Sequence, residues 1–321
     1  MKYFSMFSGI GGFELGIGTK ADCVGFSEID KYAIQIYKKH FGGHKNYGNA
    51  TTINPETIPD FDLFVGGFPC QAFSVAGKRR GFEDTRGTLF FDIAKILKVK
   101  QPRLFVLENV KGLLNHDRGE TFTKILQTID ELGYDVQWQV LNSKHFGVPQ
   151  NRERVFIIGH LRGTSRPKVF PIRRDEKEDI KGLPKRYYSS TITTRVGSTA
   201  KQQPWIHPTL TGAIGRQSSS KEYISSCKVV AHSLFPRSGN PKQGGTGHLK
   251  KEDGTTYCVD TGNCQGVEIG KMIRRLTPVE CERLQGFPDN WTKELSDTQR
   301  YKCCGNAVTV NVIKAIMERL L

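Results

Sequence analysis

The stretch Tyr3-Phe4-Ser5-Met6-Phe7-Ser8-Gly9-Ile10-Gly11-Gly12-Phe13 decides the fold class. A short, mainly apolar run over Tyr3 to Phe7 reads as a buried strand, and it passes without a break into a turn built on glycines. Such a turn lets the backbone approach a nucleotide-like ligand closely. Its spacing is not GxGxxG, because Glu14 stands where the third glycine would be, and a carboxylate is a poor neighbour for a pyrophosphate. That disfavours a nicotinamide dinucleotide and suits an adenosine ligand without phosphates.

Outward from this turn, short apolar runs recur at Cys23 to Phe26, Leu63 to Val65, Leu104 to Leu107, Val136 to Leu141 and Val155 to Ile158. Continuous apolar runs of this length indicate buried, mostly parallel strands. Helical patterns lie between them, including Leu89 to Val99 before Pro102, and Phe122 to Leu132 ended by Gly133. This rhythm predicts an α/β fold with a doubly wound, mostly parallel sheet. Further on, Thr277-Pro278-Val279-Glu280 reads as a capping box with proline at the first helical position, and that helix closes at Gly286. The last stretch, Ala307 to Leu321, is expected to rejoin the sheet domain as a strand and a terminal helix.

Between Leu161 and Arg275 there are 21 Lys or Arg against 9 Asp or Glu, so this region carries most of the net charge of +15. Periodicity fades there, and Arg237 to Gly247 reads as loop. A second, smaller and irregular domain with a polyanion-binding surface is the pointed reading; a solvated basic face is the bland one. The expected division is 1–165, completed by 295–321, then 166–275, with 276–294 as a connecting helix. The eight cysteines form no CxxC pair, which indicates neither a zinc site nor a disulfide framework. No run approaches the roughly 20 apolar residues of a spanning helix, so the chain is expected to be cytoplasmic, with no membrane partner.

Several polar residues fall where an α/β sheet keeps its ligands, at the carboxyl ends of strands. Glu28 follows the second strand, either as a solvated end or as an acceptor for both ribose hydroxyls. Cys70 follows Gly66-Gly67-Phe68-Pro69 and precedes a polar loop with Lys78, Arg79 and Arg80. A lone cysteine is usually structural; a thiol displayed on a tight turn beside basic residues suggests a reactive one. Glu108 ends the fourth strand, where partial burial would favour proton-donor use, unless it caps a helix. Arg152 and Arg154 in Gln150-Asn151-Arg152-Glu153-Arg154 could hold a base carbonyl, a phosphate or Glu108.

Taken together these residues resemble the cytosine carbon-5 DNA methyltransferases, of the bacterial or phage modification type. The matching segments are FSGIGGFELG (Phe7 to Gly16), GGFPCQAFS (Gly66 to Ser74), LENV (Leu107 to Val110), QNRER (Gln150 to Arg154), RRLTPVECERLQGFP (Arg274 to Pro288) and GNAV (Gly305 to Val308). They occur in the family's order.

The resemblance implies a chain that flips a cytosine out of double-stranded DNA and methylates its C5 from S-adenosyl-L-methionine, without a metal. It implies Cys70 as the nucleophile on C6, Glu108 acting at N3, and Arg152 and Arg154 holding the base O2 and the catalytic loop. For the methyl donor it implies Phe7, Gly9, Gly11, Glu28, Asn49, Phe68, Leu89, Asn306 and Val308. Asn49 departs from the aspartate many members carry to accept from the adenine amino group; its amide oxygen is expected to accept that bond still, with a weaker or altered cofactor contact rather than inactivity. For DNA it implies Gln71, Ser74, Arg79 and Arg80 in the loop after Cys70, and the basic region as a target-recognition domain with Thr209 and Thr211 as groove contacts. A separate cognate restriction endonuclease and a working monomer complete the expectation. Competing readings are an RNA cytosine methyltransferase of the same fold, which the long basic insert disfavours, a catalytically silent DNA-binding protein, and a nicotinamide oxidoreductase, which Glu14 disfavours.

Overall fold

A computed structural model describes residues 1–69, 89–172, 230–233, 249–251, 253–262, 264–269 and 272–321. The chain divides into two units, one made of Met1–Asn142, Glu153–Arg173 and Ala307–Leu321, the other of Ser143–Arg152 and Arg174–Asn306. Residues 295–306, expected with the first domain, group with the second unit, and residues 166–173, expected with the second domain, group with the first.

The first unit is built on β1 (Lys2–Met6), α1 (Gly12–Ile17), β2 (Asp22–Ser27), α2 (Lys31–Phe41), β3 (Leu63–Gly67), α3 (Leu89–Lys100), β4 (Leu104–Val110), α4 (Glu120–Glu131), β5 (Tyr134–Asn142) and β6 (Glu153–Leu161). Its six strands run in the order β2-β1-β3-β4-β6-β5. The first four are parallel, whereas β6 runs antiparallel to both β4 and β5. All six strands fall on the apolar runs of the sequence. The strands β4, β5 and β6 extend beyond those runs because their flanking polar residues still belong to the antiparallel ladder.

The pleat of β1 divides its side chains between two faces. Phe4 and Met6 enter a core with Phe64, Phe90, Ile93, Phe105, Phe122 and Ile125, which gathers α3 and α4 on one side. Tyr3 and Ser5 lie on the opposite face, beside Glu14 of α1 and Tyr37 of α2. The doubly wound arrangement follows from this two-sided burial.

The chain end differs from expectation. Residues 307–309 contribute no strand to the sheet; Thr309 is an extended N-cap from which a terminal helix, Val310–Leu320, runs on. That helix packs against α1, where a Cβ on Gly16 would lie 2.5 Å from Ile313 Cγ2.

In the second unit β7 (Val230–Ser233), β8 (Leu249–Lys251), β9 (Gln265–Ile269) and β10 (Met272–Arg275) form an antiparallel sheet in the order β10-β9-β7-β8. They precede α5 (Pro278–Leu284) and α6 (Asp297–Asn306), so the terminal helix is α7. The Thr277 hydroxyl accepts from Glu280 N and the Glu280 carboxylate accepts from Thr277 N, which completes the capping box ahead of Pro278. Gly286 follows α5 with φ 80°, as the sequence predicts for a left-handed stop. Among the described residues no helix is long and apolar enough to cross a membrane.

Candidate active site

The turn after β1 carries backbone conformations that L side chains rarely adopt. Gly9 and Gly11 have φ 56° and 87°, and Phe7, a bulky residue, has φ 57°. At Gly11 a Cβ would lie 2.1 Å from the Phe41 ring, so no side chain fits there. At Gly9 nothing lies within 4 Å of a built Cβ, which leaves open space beside the turn.

Glu28 fastens this turn. Its Oε2 accepts from Gly9 N at 2.9 Å, and its Oε1 accepts from Ile29 N at 2.8 Å and Asp30 N at 2.9 Å. A carboxylate offers about four acceptor sites, so after three backbone N–H groups its remaining capacity suits one ribose hydroxyl rather than two. Asn46, which the sequence reading missed, bonds the Glu28 backbone on both sides: its Oδ1 accepts from Glu28 N and its Nδ2 donates to Glu28 O. Its Oδ1 also accepts from Gly48 N. Ile29, also missed, is 70% exposed, unusual for a large aliphatic side chain next to a ligand turn; no periodic signal distinguishes it.

Asn49 has a committed oxygen. Its Oδ1 accepts from Thr51 N and Thr51 Oγ1, both at 3.1 Å, leaving the side-chain amide NH2 as its remaining polar group. The expectation that this oxygen replaces an aspartate toward an amino group therefore requires correction: what remains is a donor.

Glu14 also departs from its predicted place. It is 2% exposed and accepts from the Tyr37 hydroxyl at 3.2 Å, because α1 turns it inward rather than toward a ligand. Burial raises its carboxyl to about 7, against the Tyr37 hydrogen bond, which favours the charged form.

At the ends of β3 and β4 the register sets Gly67 opposite Glu108. A Cβ on Gly67 would sit 3.2 Å from Glu108 Oε2, so the glycine makes room for the carboxylate. Arg154 Nε lies 3.1 Å from Glu108 Oε1, with the two side chains 17% and 12% exposed. Glu108 thus has a cation beside it, not the purely apolar surroundings that the preceding run suggests. Asn109, quoted in the motif but not selected, is buried, donates from Nδ2 to Phe68 O at 2.9 Å and accepts at Oδ1 from Val110 N. It ties the end of β4 to the backbone two residues before Cys70.

The two arginines of the Gln150–Arg154 segment have different surroundings. Arg152 is 3% exposed, and its guanidinium donates to Cys258 Sγ, Val259 O and Gly305 O within the second unit. Gln150 beside it donates to Leu284 O and accepts from Val259 N. A Cβ on Gly305 would meet Asp260 backbone at 2.5 Å, so that glycine serves close packing. Arg152 is accordingly corrected from base-holding to structural, because its Nη1 and Nη2 are engaged with the Val259 and Gly305 carbonyls and the Cys258 thiol.

Phe68 and Val308 are buried, Phe68 with its ring 5.7 Å from that of Phe90, and Leu89 is partly buried at the start of α3. Asn306 is exposed at the end of α6. Cys70, Gln71, Ser74, Arg79, Arg80, Thr209 and Thr211 lie outside the described residues.

The family model for C-5 cytosine-specific DNA methylases matches residues 1–321. The chain belongs to this family. It is 41% identical to the type II methyltransferase M1.ScrFI of Lactococcus lactis subsp. cremoris, over all of this chain and 78% of that protein. It is 36% identical to the type II methyltransferase M.HhaI of Haemophilus parahaemolyticus, over 98% and 93% of the two chains. Among solved structures, the S. pombe Dnmt2 methyltransferase superposes with a TM-score of 0.64 at 18% identity, covering 100% of this chain and 98% of that one, and shares the fold. This protein is therefore an enzyme, a DNA cytosine carbon-5 methyltransferase.

Proposed function

We propose that the enzyme transfers a methyl group from S-adenosyl-L-methionine to C5 of a cytosine flipped from double-stranded DNA, with Cys70 as nucleophile. The observation that carries this reading is the Glu108–Arg154 pair, packed over Gly67 three residues before the thiol. The Cys70 thiolate adds to C6, and the electron pair moves into the ring toward N3 and O2. Glu108 delivers a proton to N3 and the Arg154 guanidinium donates to O2, so the ring becomes an enamine nucleophilic at C5. C5 takes the methyl group, a base removes the C5 proton, and the returning electron pair expels Cys70.

The glycine turn fits an adenosyl ligand: it has open space at Gly9 and a carboxylate, Glu28, already oriented by backbone donors. When bound, the donor supplies an electrophilic sulfonium methyl. Phe7, Gly9 and Gly11 cradle it, Glu28 accepts from a ribose hydroxyl, Asn49 presents its NH2, and Phe68, Leu89, Asn306 and Val308 line the remainder. The exposed Ile29 offers an apolar cover for the base.

Residues 174–275 form the target-recognition region, with Thr209 and Thr211 reading the groove, and Gln71, Ser74, Arg79 and Arg80 meeting DNA beside the flipped base. Their excess of positive charge supports this. The enzyme acts as a cytoplasmic monomer and protects DNA from a separate restriction endonuclease. Incubation with labelled S-adenosylmethionine and mixed-sequence duplex DNA, followed by bisulfite sequencing, tests the function. Methylated cytosines in one short context support it; label on RNA alone, or on neither polymer, contradicts it.

A further inference from the structure

Beyond β6 the chain, already within the basic stretch but still in the first unit, passes β5, the edge strand of the six-stranded sheet, before the second unit resumes at Arg174. Its hold on that edge comes from side chains. Gln137 Oε1 accepts from Val169 N at 3.1 Å and Phe170 N at 3.2 Å, and Gln137 Nε2 donates to Pro167 O at 2.9 Å. Two residues on, Gln139 Oε1 accepts from Ile172 N at 2.8 Å and its Nε2 donates to Ile172 O at 3.2 Å. From the terminal helix, Arg319 Nη1 donates to Val169 O at 3.0 Å and Pro171 O at 2.9 Å. Val169, Phe170 and Ile172 are buried.

The alternation of β5 places Gln137 and Gln139 on one face, so two amides spaced by the strand pleat act as substitute backbone for the passing chain. An edge strand left open invites pairing with other chains, and a covered edge needs only packing. Here seven backbone polar groups between Pro167 and Ile172 are matched one by one to three side chains. The last matched residue, Ile172, immediately precedes Arg173 and Arg174, where the first unit ends and the second resumes. Such point-by-point matching fixes a register, which apolar burial alone does not.

We infer that Gln137, Gln139 and Arg319 are positioning residues for DNA recognition, a clamp that fixes the register of Pro167–Ile172 on the first unit, the segment from which the recognition region continues. This rests on the proposed role of residues 174–275. None of the three belongs to the proposed catalytic or donor-binding set, so their loss acts on how DNA is read and leaves the chemistry alone.

The test compares Gln139→Ala, Arg319→Ala and the conservative Arg319→Lys with the wild type. It measures kcat, KM for duplex DNA, the spread of methylated contexts, thermal midpoint, and tryptic cleavage after Arg173 and Arg174. The clamp predicts faster cleavage, KM raised roughly three- to tenfold, the scale of one or two lost hydrogen bonds, and methylation at more contexts, with kcat little changed. Arg319→Lys recovers most of the wild-type behaviour, since an ammonium can still donate to both carbonyls. Unchanged cleavage, KM and contexts overturn the inference. So does a lower midpoint with kcat and KM falling together and the context unaltered, the mark of a merely structural role. A wild type that labels no DNA overturns the functional reading and this inference with it, whereas labelled DNA with unaffected variants overturns the inference alone.

Discussion

Arg154 and Glu108 meet diagonally across the antiparallel β4–β6 pair, Nε to Oε1 at 3.1 Å, with Arg154 in register with Val110 and Glu108 with Phe156. Diagonal neighbours on one face of a ladder lie within reach of long side chains, so this contact is a product of strand register. It explains how a glutamate and an arginine far apart in sequence come to stand side by side, as the proposed mechanism requires. Replacing Glu108 by Gln removes its acid–base function while keeping the shape, and kcat is expected to fall roughly 100-fold or more with donor binding nearly intact. Single-turnover rates and calorimetric donor titration check this; an unchanged rate removes Glu108 from the mechanism.

The separation of Arg152 from Arg154 makes a paired prediction. Arg154→Ala is expected to lower kcat on the order of 100-fold with a small change in thermal midpoint. Arg152→Ala strips buried carbonyls of their donor and is expected to cost about 2–4 kcal/mol of stability. Denaturant unfolding of both variants beside their kinetics distinguishes them. Equal stability losses, or a purely kinetic effect at Arg152, contradict the assignment.

Glu28 holds Gly9, Ile29 and Asp30 through their N–H groups. Glu28→Ala therefore loosens the turn as well as deleting a ribose acceptor, and donor affinity is expected to fall at least about tenfold, the scale of one charge-assisted hydrogen bond. Isothermal titration with S-adenosylhomocysteine reads this directly. A dissociation constant within twofold of wild type would place the donor elsewhere.

Burial raises the Glu14 carboxyl to about 7. In the unfolded chain it titrates at the ordinary carboxylate value, so between that value and about 7 the folded state holds a proton the unfolded state has released. Its contribution to stability is present below the unfolded pKa and is lost as pH rises through 7, by on the order of 3 kcal/mol. Glu14→Gln keeps a neutral acceptor for Tyr37 and should flatten this dependence. Thermal midpoints from pH 5 to 8 check it; parallel curves for the two proteins would show that Glu14 ionises without penalty.

The reach of the sequence varies with the physical origin of each feature. The strands beneath the site were legible because each is a continuous apolar run, and the glycine turn because only glycine suits its backbone at Gly9 and Gly11. Glu28 was legible by position, at the end of a strand. What Glu14 and Arg152 do depends on which way a helix turns and what a neighbouring segment presents, and neither is encoded in local spacing. Both looked like ligand neighbours and are instead buried. The strand expected within Ala307 to Leu321 rested on apolarity alone; residues 307–309 lead into α7, which buries against α1. Asn46 and Asn109 were missed because a single asparagine among polar neighbours carries no pattern until its partners are known.

Covalent attack by Cys70 leaves a DNA adduct that can be trapped. Duplex DNA carrying the methylated context, with the cytosine C5 hydrogen replaced by fluorine, blocks the final elimination, because fluorine cannot leave as a proton. With S-adenosylmethionine present, the wild-type protein is expected to form a DNA adduct that survives denaturation, while Cys70→Ala binds the same DNA and forms none. A wild type that methylates ordinary DNA without forming an adduct, or an adduct that persists in Cys70→Ala, would contradict the account.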